Sequence, residues 1–291
     1  METVVKALYN ASFTIWNTLM GLAMTLFSTS PTSAAGGSPY GTVHTLYNSI
    51  SAATIPIATC FFVIAIYKSV VTSPPEQQAQ RFLVDAVRYC IILFVAAHLW
   101  EILGYIIEFS DGITRSMGAA SGYTLSMGGD LERIIHDSLE LPEFELSGEW
   151  IGKLFEALGC AALLLIGGVV LVLVMVASCL SIISSAFQRI LKPLIIMPFA
   201  GIAVAMGAGG HEIGRSMLQF LKTFFGFCIS GAMMIVIIKT GCTLCTELIS
   251  AGLSGNSDIE NCIMMTVQAA ITPIVIAGLV RGTDSIISRM L

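Results

Sequence analysis

Charge is what this sequence has least of. Only 11% of its 291 residues are Asp, Glu, Lys or Arg and 55% are hydrophobic, whereas soluble domains carry roughly 25% charged residues. Too little charge remains to clothe a water-facing surface, so a soluble globular protein is excluded. Basic stripes are missing too: a formal net charge of −5 and a pI near 5.3 argue against a dedicated nucleic-acid-binding surface. No GxxxxGK[ST] phosphate loop occurs, so the chain does not power transport by ATP hydrolysis on its own. His211-Glu212 opens like the zinc motif HExxH, but position 215 is Arg; Gly207-Ala-Gly209-Gly-His-Glu212 lacks the third glycine of a dinucleotide fingerprint. No enzymatic activity, cofactor or metal is expected.

The eight cysteines are scattered, and Cys60, Cys90, Cys160, Cys179 and Cys228 lie inside apolar runs, as small core residues do. Cys242 and Cys245, near Cys262, form a CxxC that could be a redox pair or half of a metal site, but no further Cys/His pair completes zinc spacing. At the N-terminus, Glu2 spoils a basic n-region and Asn10, Thr14, Asn17 and Thr18 interrupt any apolar h-region. The segment is therefore expected to stay on the mature protein.

What the sequence does have is long uncharged runs. None of Asp, Glu, Lys or Arg occurs between Glu156 and Arg189, and about 20 apolar residues suffice for one transmembrane helix. Backbone amides in lipid must be satisfied internally, which allows helices or a closed barrel. Continuous runs instead of period-two alternation choose helices. The fold class is thus all-α, a polytopic transmembrane bundle of five to six spans behind an amphipathic N-terminal helix.

Along the chain, residues 1–40 comprise that helix, over 3–27, and a Ser/Thr/Pro/Gly-rich loop. Thr3, Lys6, Asn10, Thr14, Asn17, Thr18, Gly21 and Thr25 share about a third of its wheel at roughly 100° per residue. Such a helix can lie in the membrane interface, pack beside other spans, or line a polar pore with Asn10, Thr14 and Asn17. Residues 41–109 hold two spans, Thr45 to Tyr67 and about Phe82 to Phe109, separated by Pro74-Pro75. An acidic segment follows at 110–149. The C-terminal membrane domain, 150–291, has spans near Ile151 to Phe187, Met217 to Lys239 (continuing toward Ile249) and Asn261 to Val280, with a kink possible at Pro273. Between them, 193–210 is either a short span or a re-entrant segment, carrying Pro193 and Pro198. Its small residues Gly201, Ala205 and Gly209 recur every four positions, which permits the close helix approach that a ring or tight bundle requires.

Basic residues in short loops prefer the cytoplasm. If 193–210 does not cross, five spans place nine of the fourteen basic residues inside, Arg189 and Lys192 among them. A crossing segment would leave six inside. The five-span layout also puts 108–149 outside, where nine acids, Glu108 and Asp111 included, face Arg115 and Arg133. The N-terminus is then extracytoplasmic and the C-terminus cytoplasmic, in the plasma membrane.

Intramembrane charge concentrates on the second span and marks a candidate functional site. Arg81, Asp85 and Arg88 stand at i, i+4 and i+7 on one face, so Asp85 can pair with either arginine. His98 and Glu101, with Glu108, lie on another face toward the outer end. They could line a translocation path or relay protons; equally, charges near span ends can snorkel or pair with a neighbouring subunit, and a structural or inter-subunit role is preferred.

The stretch Arg189-Ile-Leu-Lys192-Pro-Leu-Ile-Ile-Met-Pro198-Phe-Ala-Gly-Ile-Ala, followed by Gly210-His-Glu212-Ile-Gly214-Arg215-Ser-Met-Leu-Gln-Phe220-Leu-Lys222, resembles the TrbL-type polytopic subunit of conjugative type IV secretion systems, in its short Gram-positive form carried on integrative elements. A basic helix end, a short apolar segment with a central proline, a small-residue turn, a Glu-x-x-Gly-Arg element and an apolar span behind Phe-x-Lys carry the likeness. The resemblance implies a membrane subunit that oligomerises with itself, beside secretion ATPases and the DNA coupling protein, and helps move a relaxase-bound single DNA strand. Functions housed in the soluble C-terminal tail of longer relatives are not carried over. One copy of five or six helices leaves no room for a DNA-wide pore, so a conduit needs a ring of copies or partner proteins. Its lining need not be basic, since a weakly binding polar wall avoids trapping a polyanion. A small-molecule transporter or ion channel is the alternative, because interrupted short helices are a transporter device; no second, inverted copy of the interrupted segment is found.

Overall fold

The computed structural model describes residues 2–72, 74–118, 148–251 and 258–290, and between them 122, 124–125, 132–133 and 135–136. The described residues are helical almost throughout and contain no strand. In chain order the α-helices are α1 (Glu2–Ser28), α2 (Ser38–Ser51), α3 (Thr54–Thr72), α4 (Pro75–Ala97), α5 (Leu99–Gly118), α6 (Gly148–Ile196), α7 (Ala200–Ala205), α8 (Gly210–Ala251) and α9 (Asp258–Met290). Most of the acidic segment 119–147, with Asp130, Asp137, Glu140, Glu143 and Glu145, lies outside the described residues, as do the side chains of Glu149, His211, Glu212 and Cys245.

Among the described residues, four segments are long and apolar enough to cross a membrane by themselves: Thr54–Thr72, Ala157–Gly209, Gly214–Leu244 and Glu260–Ile287. A fifth arises only if α4 and α5, which meet at 65°, count as one broken span. The protein is a multi-pass all-α membrane protein; its four or five candidate spans among the described residues meet the expected range of five to six at five. Two helices far exceed one bilayer. With 49 residues, α6 extends about 74 Å at 1.5 Å per residue, and α8 has 42 residues; each outruns a hydrocarbon core of about 30 Å.

Two of the expected spans are broken within their length. The span expected from Thr45 to Tyr67 is two helices, interrupted at Ala52–Ala53. Pro56 has no N–H to donate and falls in the first turn of the helix that begins at Thr54, where an N–H would lack an intrahelical partner anyway. The expected span from Phe82 to Phe109 divides at His98, which ends α4 with φ −104° and ψ 12°. By contrast, α9 runs unbroken through Pro273.

The chain forms two compact units, interleaved along the sequence where consecutive blocks were expected. The first comprises Met1–Leu26, Met117–Ala186 and Met233–Thr283. Within it, Tyr9, Trp16 and Met20 of α1 are fully buried, so the apolar face of the amphipathic helix packs against protein. Its other face leaves Asn10 and Thr14 exposed. Asn17 is not a free lining residue: its Nδ2 donates to Leu125 O at 2.8 Å and its Oδ1 accepts from Leu125 N at 2.9 Å. Tyr9 Oη and Thr266 Oγ1 are hydrogen-bonded at 3.0 Å. At the start of α1, the Lys6 ammonium 2.8 Å from Glu2 holds the Glu2 carboxyl below the usual carboxylate range by donating to it.

The second unit comprises Phe27–Ser116, Phe187–Ala232 and Asp284–Leu291. Here α3 and α4 form an antiparallel hairpin, with Phe62 stacked on Tyr89 at 4.3 Å and Gln78 Nε2 donating to Val70 O at 3.3 Å. Trp100 of α5 is surrounded by Tyr40, His44 and Tyr47 of α2, with ring centroids 4.6 to 5.1 Å away. The 193–210 segment is not a separate span. Pro193 lies inside α6; the chain then makes a 3-10 turn at Met197–Phe199, the six residues of α7, and a second 3-10 turn at Met206–Gly209. Gly201 abuts Thr54, and Gly210 lies near Ala65. This connector therefore runs alongside α3.

Gly201 is buried, and a methyl group there would collide with Thr54 Oγ1. Ala205 is fully buried, while Gly209 borders a cleft between α3 and α4. Gly201 and Ala205 thus serve packing inside one chain. Replacing Ala205 by Leu is expected to destabilise the protein by about 1–3 kcal/mol through overpacking, seen as a lower unfolding temperature of the detergent-solubilised protein with its oligomeric state unchanged. Loss of the oligomer at undiminished stability would return Ala205 to a subunit interface.

Candidate functional site

A guanidinium lies in the interior of the second unit. Among the described residues Arg189 and Asp111 are the only charged side chains classed as buried, with 2% and 8% of their side-chain surfaces exposed. Arg189, in the last part of α6, donates through Nη2 to Asp111 Oδ1 at 3.1 Å and to Thr114 Oγ1 at 3.3 Å, both on α5. Its Nη1 donates to Phe27 O, a carbonyl in the last turn of α1, where helix carbonyls lack intrahelical partners. Thr114 donates in turn to Ser110 O at 2.8 Å, and Ser110 Oγ donates to Cys228 O on α8 at 2.5 Å. One cation thereby links α1, α5 and α6, and its hydroxyl neighbours reach α8.

Local sequence makes the room. Gly231 of α8 faces Arg189, and a methyl group there would occupy the guanidinium's position. Pro193, four residues after Arg189, cannot donate to the Arg189 carbonyl, which loosens α6 at this turn. One turn on, Lys192 is paired with Asp284 of α9 and stands 5.7 Å from the Phe227 ring centroid. Since Arg189 lies at Gly231 and Lys192 at Phe227, α6 and α8 are antiparallel in this unit.

This centre corrects the expected topology. Asp111 was placed in an extracytoplasmic loop and Arg189 at a cytoplasmic helix end, on opposite sides of the bilayer. An ion pair of 3.1 Å puts them at one depth. The expectation failed because it treated α4 and α5 as one straight span and counted Arg189 as a free topogenic charge. A signal was available: Gly231 sits in the uncharged run between Lys222 and Lys239, a gap opposite which a large side chain can fit.

The second-span residues fall into two groups. Asp85 pairs with Arg88, Oδ1 to Nη1 at 3.2 Å, and Arg81 lines the same cleft. His98, at the bend, and Glu101, in the first turn of α5, are 3.5 Å apart, with side chains 50% and 67% exposed. The two groups do not converge on one site. Cys242 and Cys262 are buried, and no cluster of three His, Cys, Asp or Glu side chains suited to a metal occurs among the described residues.

Comparison with family models, curated proteins and solved structures finds no match. What the centre can do therefore follows from its own chemistry. Asp111 Oδ2 and Arg189 Nε, both buried, have no protein hydrogen-bond partner. Beside them is a small gap bounded by Pro31, Ile107, Pro193 and Phe227, and the contacts the pair makes join α1, α5 and α6. Leaving one charge buried alone costs about 3–5 kcal/mol, whereas replacing both by apolar groups is often neutral. Arg189→Met and Asp111→Leu are each expected to lose that much stability, and the double variant to lose less than the sum of the two. Thermal unfolding of the four purified proteins measures the coupling, and additive losses would show that the two side chains act independently.

Proposed function

We propose that this chain is a self-associating membrane subunit of a conjugative type IV secretion channel of the TrbL type, helping to pass a DNA strand with its bound protein across the cytoplasmic membrane. The observation that carries the reading is that the stretch from Arg189 to Lys222, through which the sequence resembles that family, forms one structural device. It comprises the end of α6, the connector beside α3 and the start of α8, and both of its leading cations are engaged within the protein. A basic helix end built into the interior is a fold-defining element, which fits its belonging to a family pattern.

The outward stripe of α1 supports the same reading. Asn10 and Thr14 are exposed, and α1 carries no charge after Lys6. Around the axis of a ring, such helices would present a polar, uncharged wall to a polyanion. The partners on this reading are further copies of the chain, the secretion ATPases, the coupling protein and, transiently, single-stranded DNA.

A small-molecule or ion transporter is the second reading, favoured by the 65° break at His98 and the adjacent His98–Glu101 pair. The mass and symmetry of the gently solubilised complex separate the two. The secretion reading expects a closed ring of several copies, seen in native mass spectra or electron-microscope class averages. A monomer or dimer without secretion ATPases would sink it and direct study to His98 and Glu101.

A further inference from the structure

The hairpin of α3 and α4 fixes where one crossing of the membrane ends. Phe62 stacks on Tyr89 at 4.3 Å, Thr59 Oγ1 and Tyr89 Oη are hydrogen-bonded at 2.8 Å, and Gln78 reaches Val70 O. Each step forward along α3 is therefore matched by a step back along α4, which brings Ala97, the last residue of α4, level with Thr54, the first of α3. The 19 residues of α3 rise about 28 Å at 1.5 Å per residue, close to a hydrocarbon thickness of about 30 Å. Whatever depth α3 spans, α4 has spanned it by Ala97. Asp85 and Arg88 do not prevent this: they pair at 3.2 Å and line a cleft shared with Ala65 and Gly210, as charges inside a membrane do. Past Arg81, the exposed face of α4 is apolar, with Leu83, Val87, Ile91 and Phe94 each more than half exposed.

At His98 the outward face changes character. Helix α5 leaves α4 at a bend of 65° and exposes Glu101, Tyr105, Glu108, Gly112 and Arg115, one stripe at alternating spacings of four and three residues. Its opposite face, with Leu99, Leu103 and Ile107, is buried in the core of the unit, so the polar stripe is the side left to meet the surroundings. Two carboxylates and a guanidinium turned into hydrocarbon would be costly. Trp100, packed among Tyr40, His44 and Tyr47, marks the boundary, because such aromatic groups gather where membrane meets water. Helix α2, which ends just before α3 starts, likewise exposes Thr42, Thr45, Asn48 and Ser49. Over its length of about 30 Å, α5 advances only about 13 Å along the direction of α4. We infer that α4 completes a crossing by itself and that α5 lies outside the hydrocarbon along the membrane surface, its stripe from Glu101 to Arg115 turned to water. Both α2 and α5 then lie on one side of the membrane, and the His98–Glu101 pair sits at its surface. This placement rests on the membrane-embedded fold alone and is independent of the secretion reading.

The full chain in nanodiscs, where both membrane faces are open to the medium, provides the test. A negatively charged maleimide alkylates thiolates in water and does not reach cysteines in hydrocarbon. Tyr105→Cys and Gly112→Cys on α5 are compared with Ile91→Cys on α4 and with the native Cys60 and Cys90, both exposed on the hairpin. Mass spectrometry locates each adduct, so the native cysteines stay in place. Tyr105 is 68% exposed and a methyl group at Gly112 meets nothing within 4 Å, so both variants are expected to fold, and a thermal melt verifies this. The two α5 variants should react at their new thiols roughly a hundredfold or more faster than Cys60, Cys90 and the Ile91→Cys variant. In the unaltered protein, a carbene-generating reagent dissolved in the bilayer should mark Ile91 and Phe94 and leave Tyr105 unmarked. Slow alkylation on α5 together with photolabelled Tyr105 overturns the inference and makes α4 and α5 one broken span. Slow alkylation with Tyr105 unmarked overturns it as well, by showing the stripe covered by protein.

Discussion

A guanidinium taken out of water must find every hydrogen bond it needs within the protein. Arg189 meets that need at both terminal nitrogens, through the Asp111 carboxylate, the Thr114 hydroxyl and the last-turn carbonyl of Phe27, while its Nε has no protein partner, and that demand organises its unit. It fixes the rotation of α6 about its axis, the depth of α5 and the point at which α1 ends. It also requires Gly231 to be bare, because any side chain there would take the same space. Neutral packing alone would let these helices slide by a turn with little penalty; a paired charge in an apolar interior permits one register.

The sequence was most legible where the signal was hydrophobic length. The amphipathic first helix, expected at 3–27, is found at Glu2–Ser28, and the uncharged run before Arg189 lies within a single helix. These readings succeed because the bilayer imposes an absolute length and an absolute requirement for internal hydrogen bonding. Legibility ended where geometry depends on partners remote in sequence. Nothing local to Asp111 announces that its partner comes 78 residues later. Charge counting treats every arginine as solvated, so a buried arginine misleads it. The break before Pro56 was missed, and proline alone does not decide such breaks, since Pro193 and Pro273 lie inside helices.

The candidate site was legible in part. Arg81, Asp85 and Arg88 do face one cleft, as their spacing on a helix demands. The second wall of that cleft, from Lys68 to Gly210, could not be read from spacing because it depends on how the connector lies along α3. The stripe on α1 was recognised as polar, yet Asn17 proved to be occupied by a backbone at residue 125, a partner no helical wheel reveals.

Two cations one turn apart on α6 divide their partners across the chain: Asp111 precedes Arg189 by 78 residues, whereas Asp284 follows Lys192 by 92. During synthesis at about 5–20 residues per second, α5 must therefore wait roughly 4–16 s with an uncompensated carboxylate. When α6 arrives, it settles that charge and carries another, the Lys192 ammonium, whose carboxylate partner lies 92 residues further on. The two charges are thus matched in succession, the Asp111 carboxylate by the arrival of α6 and the Lys192 ammonium by the arrival of α9.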